Sequence, residues 1–218
     1  MLYIIPTPIG NLEDITIRAI KILKKSNYII IENYYRTQIL FKKYKILNKK
    51  LLLNNKFNEH KKKNFIFNKI INNKICSLIS NAGTPLISDP GYLIIKKCIK
   101  NNIKINVLPG ANAFIPALIS SGFPIHNFVF IGFLPLKKKK ISEIFNIKKT
   151  LIIYDTSKKI KKNFIKNKNF LLNKKIFIHK EISKIYEEKI YFKYTKKNKL
   201  LFLNKIKGEL TIIVDNNN

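Results

Sequence analysis

Ser80-Asn-Ala-Gly-Thr-Pro-Leu-Ile-Ser-Asp-Pro-Gly-Tyr92 decides how this chain is read. It directly follows Ile75–Ser80, a short apolar run of strand length. A single Asx-Pro turn at Asp89 would be an ordinary connection, but two Gly/Pro turns straight after a buried strand point to a functional loop. Only seven glycines occur in 218 residues. Four of them, Gly10, Gly83, Gly91 and Gly110, follow candidate strands and stand near Pro8, Pro85, Pro90 and Pro109. Proline fixes φ and glycine permits positive φ, so such loops are stiff and preshaped. In an open α/β sheet, ligands bind in loops beyond the carboxyl ends of the strands.

Outward from this loop, short apolar runs alternate with helix-length, half-polar stretches. The runs Leu2–Ile5, Tyr28–Glu32, Leu51–Asn54, Ile75–Ser80 and Ile105–Pro109 read as strands. Segment Ile15–Lys25 reads as a helix with Ile15, Ala19, Ile22 and Leu23 on one face, and Asn11 or Asp14 is placed to cap it. Strand and helix in repeated alternation predict a mainly parallel sheet covered on both faces. Segment Ala111–Ser120 reads as helical. Ser121-Gly-Phe-Pro-Ile-His-Asn127 then breaks the pattern, and a second set of strands begins at Phe128–Phe133, Leu151–Asp155, Lys175–Ile182 and Leu210–Asp215. The expected division is residues 1–122 and 123–218. The Lys/Asn-rich tracts Lys61–Asn64, Lys137–Lys140 and Lys158–Asn169 read as solvated faces and loops, and Asn216–Asn218 as a frayed tail.

Composition sets bounds. Hydrophobic residues make up 46% of the chain, which supplies a packed core. No apolar run approaches the ~18 residues of a membrane span. Met1-Leu-Tyr-Ile-Ile-Pro6 reads as a first strand rather than a signal peptide. Cys76 and Cys98 have neither C-x-x-C spacing nor a nearby histidine pair, so no metal site is expected, and the expected setting is reducing and cytoplasmic. The net charge of +31 fits a polyanionic partner. Lysine, asparagine and isoleucine also share A/T-rich codons, so biased composition raises the same residues. Most of the 15 Phe and 10 Tyr read as core, and those beside lysines, as in Phe41–Tyr44, could stack on bases.

The pocket is not built for pyrophosphate. A dinucleotide site needs G-x-G-x-x-G after the first strand, and only Gly10 stands there; Glu32 at the end of the second strand does not replace it. A P-loop is absent as well.

Four blocks carry a resemblance: Pro6–Thr16, Ala82–Tyr92, Leu108-Pro-Gly-Ala111 and Gly132-Phe-Leu-Pro135. Together, in order and at compatible spacing, they resemble the 16S ribosomal RNA 2′-O-ribose methyltransferases of the tetrapyrrole methylase superfamily. Weaker similarity runs through Thr150–Tyr154, Lys180–Glu188 and Lys207–Val214, so nearly the whole chain is covered. The resemblance implies two α/β domains with a methyl-donor cleft between them, paired as a homodimer. It implies S-adenosylmethionine as cofactor, and a cytidine ribose in 16S rRNA of the small subunit as methyl acceptor. Gly83, Thr84, Leu86 and Ile87 match the donor-contacting loop, Asn112 and Ala113 a second contact, Pro8 the pocket floor, and Tyr154 a residue covering the donor. Arg18 and Arg36 are the RNA-binding candidates.

The chain departs from the family at two places. Asn81 stands where relatives carry aspartate, and Glu32-Asn-Tyr-Tyr35 replaces Glu-Asp-Thr-Arg, with Arg36 one place later. Transfer to a 2′-hydroxyl calls for alignment, exclusion of water and a base. Glu32, Glu59, Asp89 and His60 are candidates, and no catalytic residue is assigned. His126 and His179 have no partner visible in the sequence. Two competing readings are a small-molecule methylase acting on a tetrapyrrole-type ring and a non-catalytic RNA-binding relic. Donor binding separates the relic from the enzymes, and RNA substrate separates the two enzymes.

Overall fold

The computed structural model describes residues 1–195, 203 and 206–217. The chain divides into two compact units, Met1–Asn112 and Ala113–Asn218.

In the first unit, strands β1 (Leu2–Ile5), β2 (Tyr28–Ile31), β3 (Lys50–Leu53), β4 (Cys76–Ile79) and β5 (Ile105–Val107) form one sheet. Every pairing is parallel and the order is β3-β2-β4-β1-β5. Between the strands lie α1 (Ile17–Lys25), α2 (Tyr34–Tyr44), α3 (Glu59–Ile71) and α4 (Tyr92–Lys100). Alternate side chains of a strand point to opposite faces, and both faces here are apolar. Ile5, Ile29, Ile31 and Ile79 pack with Ala19, Leu23, Leu40 and Phe41. Leu2, Ile4, Ile30 and Leu78 pack with Ile66, Ile70, Ile94 and Cys98 on the other side. The parallel sheet covered on both faces is as the strand–helix alternation predicts.

The cap of α1 differs from expectation. Thr16 holds it, accepting from the Ala19 amide at 3.1 Å. Asn11 instead caps a 3-10 turn, Leu12–Asp14, whose extended exit at Ile15 delays the helix. Ile15, Ala19 and Leu23 are buried on the expected face.

The second unit holds β6 (Phe128–Phe133), β7 (Thr150–Thr156), β8 (Lys175–Lys180), β9 (Glu188–Lys193) and β10 (Glu209–Asp215) in the order β6-β7-β10-β8-β9. Among the described residues only β6 and β7 pair in parallel; the other pairings are antiparallel. Helices α6 (Lys138–Phe145), α7 (Ser157–Lys166) and α8 (Lys168–Leu171) pack Ile141, Phe145, Ile160, Phe164 and Leu171 against Ile153, Ile178 and Ile212. Helix α5 (Phe114–Ser121) packs against β10 and β8 and therefore belongs to this unit. The division falls before α5, not after residue 122, because Gly122 ends a helix (φ +63°) rather than a domain.

Lys158–Asn169 presents a solvated face as expected, most of it as helix α7 with its lysines outside and Ile160 and Phe164, four residues apart, as anchors. The end of the chain differs from expectation. Asn216 is no frayed tail. It is fully buried, and its side-chain amide donates to the carbonyls of Phe145 at 2.9 Å and Ile147 at 2.6 Å. Asn218 lies outside the described residues. Among the described residues no helix is long and apolar enough to cross a membrane, and no group of three or more His, Cys, Asp or Glu is placed to hold a metal.

Candidate functional site

Strands β4, β1 and β5 are neighbours, so the loops leaving their carboxyl ends lie side by side at one edge of the sheet. These are the Gly/Pro loops, and the structure sews them together. Thr7 and Gly83 exchange backbone hydrogen bonds, each N–H to the other's carbonyl at 2.9 Å. The buried Thr7 hydroxyl donates to the Ser80 carbonyl at 3.1 Å, and the Ser80 hydroxyl to the Gly83 carbonyl at 2.8 Å. The Thr84 hydroxyl donates to the Ala111 carbonyl at 3.1 Å, tying the second loop to the third.

Close approach explains two of the glycines. Gly83 is buried at φ +84°, and a Cβ there would lie 3.3 Å from Ile9 Cγ2 and 3.6 Å from the Ala111 carbonyl oxygen. A Cβ on Gly110 would meet Pro6 Cβ at 2.6 Å, a clash. The loop also holds Leu86 at φ +72° and Ser88 at φ +68°, conformations that cost energy outside glycine. Such strain persists only where the surroundings enforce it.

Of the residues expected at a donor site, Pro8, Gly83 and Thr84 come together in this stitched edge, with Asn112 beside it; Asn112 Cα is 3.8 Å from the Gly83 Cβ position. Leu86 turns its side chain into the core beside Leu78 and Ile94, leaving main chain to the loop. Ile87 is exposed. Ala113 begins the second unit and precedes α5. Tyr154 lies in β7 of that unit, edge-on to Phe130 at 5.0 Å and to Phe133 at 6.2 Å. Phe130 in turn lies 5.0 Å from Phe114, an aromatic group that sequence spacing does not reveal.

A small cavity of about 50 Å³ opens on the first unit's α1/α2 side, lined by Thr7, Pro8, Arg36, Thr37, Ser80 and Asn81, with Leu12, Leu40 and Ile79. Asn81 Oδ1 is buried there without a hydrogen-bond partner. Arg36 is exposed in the first turn of α2, whose N-cap is Asn33, and Arg18 is exposed on α1.

The candidate bases separate. Glu59 is committed to structure, accepting from the backbone N–H groups of Gly91 at 3.1 Å and Leu93 at 2.9 Å at the start of α4. His60 is exposed on α3, and Asp89 is half-buried in the 80–91 loop. Glu32 keeps Oε2 buried without a partner. In the second unit, Asp155 is buried in β7, and burial pushes its carboxyl above the usual range, despite hydrogen bonds from Asn163 and the Thr156 amide. His179 is buried as well, with Nε2 2.6 Å from Glu187 Oε1.

A family model described as "Tetrapyrrole (Corrin/Porphyrin) Methylases" matches residues 1–191. A protein of Hydrogenobaculum sp. named "Ribosomal RNA small subunit methyltransferase I" is 40% identical over 100% of this chain and 96% of its own length. One of the same name from Buchnera aphidicola subsp. Schizaphis graminum is 46% identical over 164 residues, 73% of this chain but only 57% of that protein. Among solved structures, uroporphyrin-III C-methyl transferase from Thermus thermophilus, complexed with S-adenyl homocysteine, superimposes with a TM-score of 0.65 at 13% identity. The match covers 97% of this chain and 96% of that one, and shows the shared fold.

Proposed function

The chain belongs to the tetrapyrrole methylase family, and from that premise we propose that it methylates the 2′-oxygen of a cytidine ribose in 16S rRNA of the small ribosomal subunit. The observation that carries this reading is the stitched edge of Pro6–Thr7, Ser80–Thr84 and Gly110–Ala111, whose buried Gly83 has no room for a side chain without displacing Ile9. Full-length similarity to proteins named as small-subunit ribosomal RNA methyltransferases supports the RNA substrate.

The residues present fit a methyl donor bound largely through main chain. Pro8, Gly83, Thr84, Leu86, Ile87 and Asn112 are the groups proposed to hold S-adenosylmethionine; Ala113 and Tyr154, which the resemblance adds, belong to the second unit. When bound, the donor supplies an electrophilic methyl group on a positively charged sulfur. The chain's own part is to fix loops before binding, so that little ordering is left to be done when substrate arrives. Glu32, with one buried carboxylate oxygen uncommitted, is the candidate able to take the hydroxyl proton. A homodimer is the assembly the resemblance implies, and sedimentation of the purified chain reads it directly.

The test uses small subunits lacking the modification, incubated with the donor and the purified chain. Methylation removes the internal nucleophile for alkaline cleavage, so a gap at one cytidine is expected in the hydrolysis ladder of 16S rRNA, and no gap without donor. A methyl group on a base, or transfer only to a tetrapyrrole, overturns the substrate assignment.

A further inference from the structure

The cavity beside Arg36 holds an imbalance. Most of its polar side chains are already engaged: the Thr7 hydroxyl with Ser80, the Ser80 hydroxyl with Gly83, and the Thr37 hydroxyl with the Asn33 carbonyl at 2.8 Å. Asn81 Oδ1 is buried without a donor. Leaving an acceptor desolvated and unpaired costs free energy, and native proteins retain few such groups. At the same cavity Arg36 is exposed, and no carboxylate pairs with it among the described residues. A ligand that brings a hydrogen-bond donor inward and a negative charge outward would complement both groups. The cavity, at about 50 Å³, takes a few water-sized groups rather than a base ring.

A ribose hydroxyl next to a phosphate has this chemistry. We propose that Asn81 and Arg36 form an RNA-discriminating subsite, in which Asn81 Oδ1 accepts a hydrogen bond from a ribose 2′-hydroxyl and the Arg36 guanidinium holds an adjoining phosphate. This rests on the RNA reading above and deepens it. The 2′-hydroxyl is the group by which a protein tells RNA from DNA at a given position. Guanidinium–phosphate contacts are charge-assisted and position the strand without reading sequence. Asn81 then determines specificity for RNA, and Arg36 supplies affinity.

The experiment compares the full chain with its Asn81→Ala, Asn81→Asp and Arg36→Gln variants, each checked for an intact thermal transition. Binding to a short cytidine-containing RNA is measured beside DNA of the same sequence, across a salt series. The unaltered chain is expected to favour RNA. Asn81→Ala should lower RNA affinity about tenfold and leave DNA affinity unchanged, erasing the preference. Asn81→Asp keeps an acceptor and should keep the preference even if overall affinity falls. Arg36→Gln should weaken RNA and DNA alike and flatten the logarithmic salt slope by roughly 0.7, the share of one phosphate on a single strand. The inference is overturned if Asn81→Ala weakens both nucleic acids equally or neither, or if Arg36→Gln leaves the slope unchanged. Donor-dependent methylation of small subunits by the unaltered chain runs in parallel. Its absence would sink the enzyme reading, whereas transfer with an unaltered RNA preference in Asn81→Ala sinks only the subsite.

Discussion

Gly83 shows how much one residue carries. At φ +84°, and with Ile9 only 3.3 Å from its Cβ position, a β-branched side chain there is strained and crowds Ile9. Gly83→Val is expected to cost about 1–3 kcal/mol of stability and to abolish heat of S-adenosylmethionine binding in calorimetry while the chain still folds; undiminished donor affinity would mean that the loop is not the donor site. Asp155 gives a pH-dependent prediction. Its folded pKa lies above its unfolded value because burial disfavours the carboxylate. The folded state therefore binds the proton more tightly, and the group's contribution to stability is lost as pH rises through the window between the two values. Asp155→Asn removes that loss, so thermal melting across pH 3–7 should show the unaltered chain falling relative to the variant as pH rises. At this scale the backbone demand at Gly83 was legible in the sequence, because glycine beside proline reports such demands directly. The cavity at Asn81 was not legible, since which polar atom is left without a partner depends on where Thr7, Thr37 and Ser80 spend theirs.

Among the elements, runs of isoleucine located the strands, because a strand buried on both faces is apolar without interruption. Strand β9, Glu188-Lys-Ile-Tyr-Phe-Lys193, escaped since it lies at the sheet edge with half its residues charged. Helix α7 escaped for a related reason: lysine stems flank only two core anchors, Ile160 and Phe164. The end of the chain misled most, because three asparagines read as solvent-exposed. Asn216 instead ties the exit of β10 to the carbonyls that close α6. Asn216→Ala would leave both carbonyls without that donor and should cost about 1–3 kcal/mol. A lower thermal midpoint, with donor affinity unchanged at a temperature where both proteins are folded, is the expected result.

Over the whole molecule, a net charge of +31 alone could not separate an RNA partner from a codon-driven excess of lysine. Salt dependence separates them. With several phosphates engaged, RNA affinity should fall by about a thousandfold or more between roughly 50 and 200 mM salt, whereas a shallow slope would assign most lysines to composition alone. The division into Met1–Asn112 and Ala113–Asn218 was legible as two sets of strands, but its position was not, because α5 follows the first set in sequence and packs on the second. Both cysteines are fully buried, and burial pushes the Cys76 thiol up and the Cys98 thiol up to about 11, so neither presents thiolate to solvent near neutral pH. The native chain should therefore react little with maleimides, which a thiol titration of the folded protein reads. Cysteines introduced at Phe57 and Leu136, which are 94% and 88% exposed and lie in different units, would then take spin labels alone. Dipolar spectroscopy on that pair becomes a ruler for the two units as donor and RNA are added, with no native thiol to remove first.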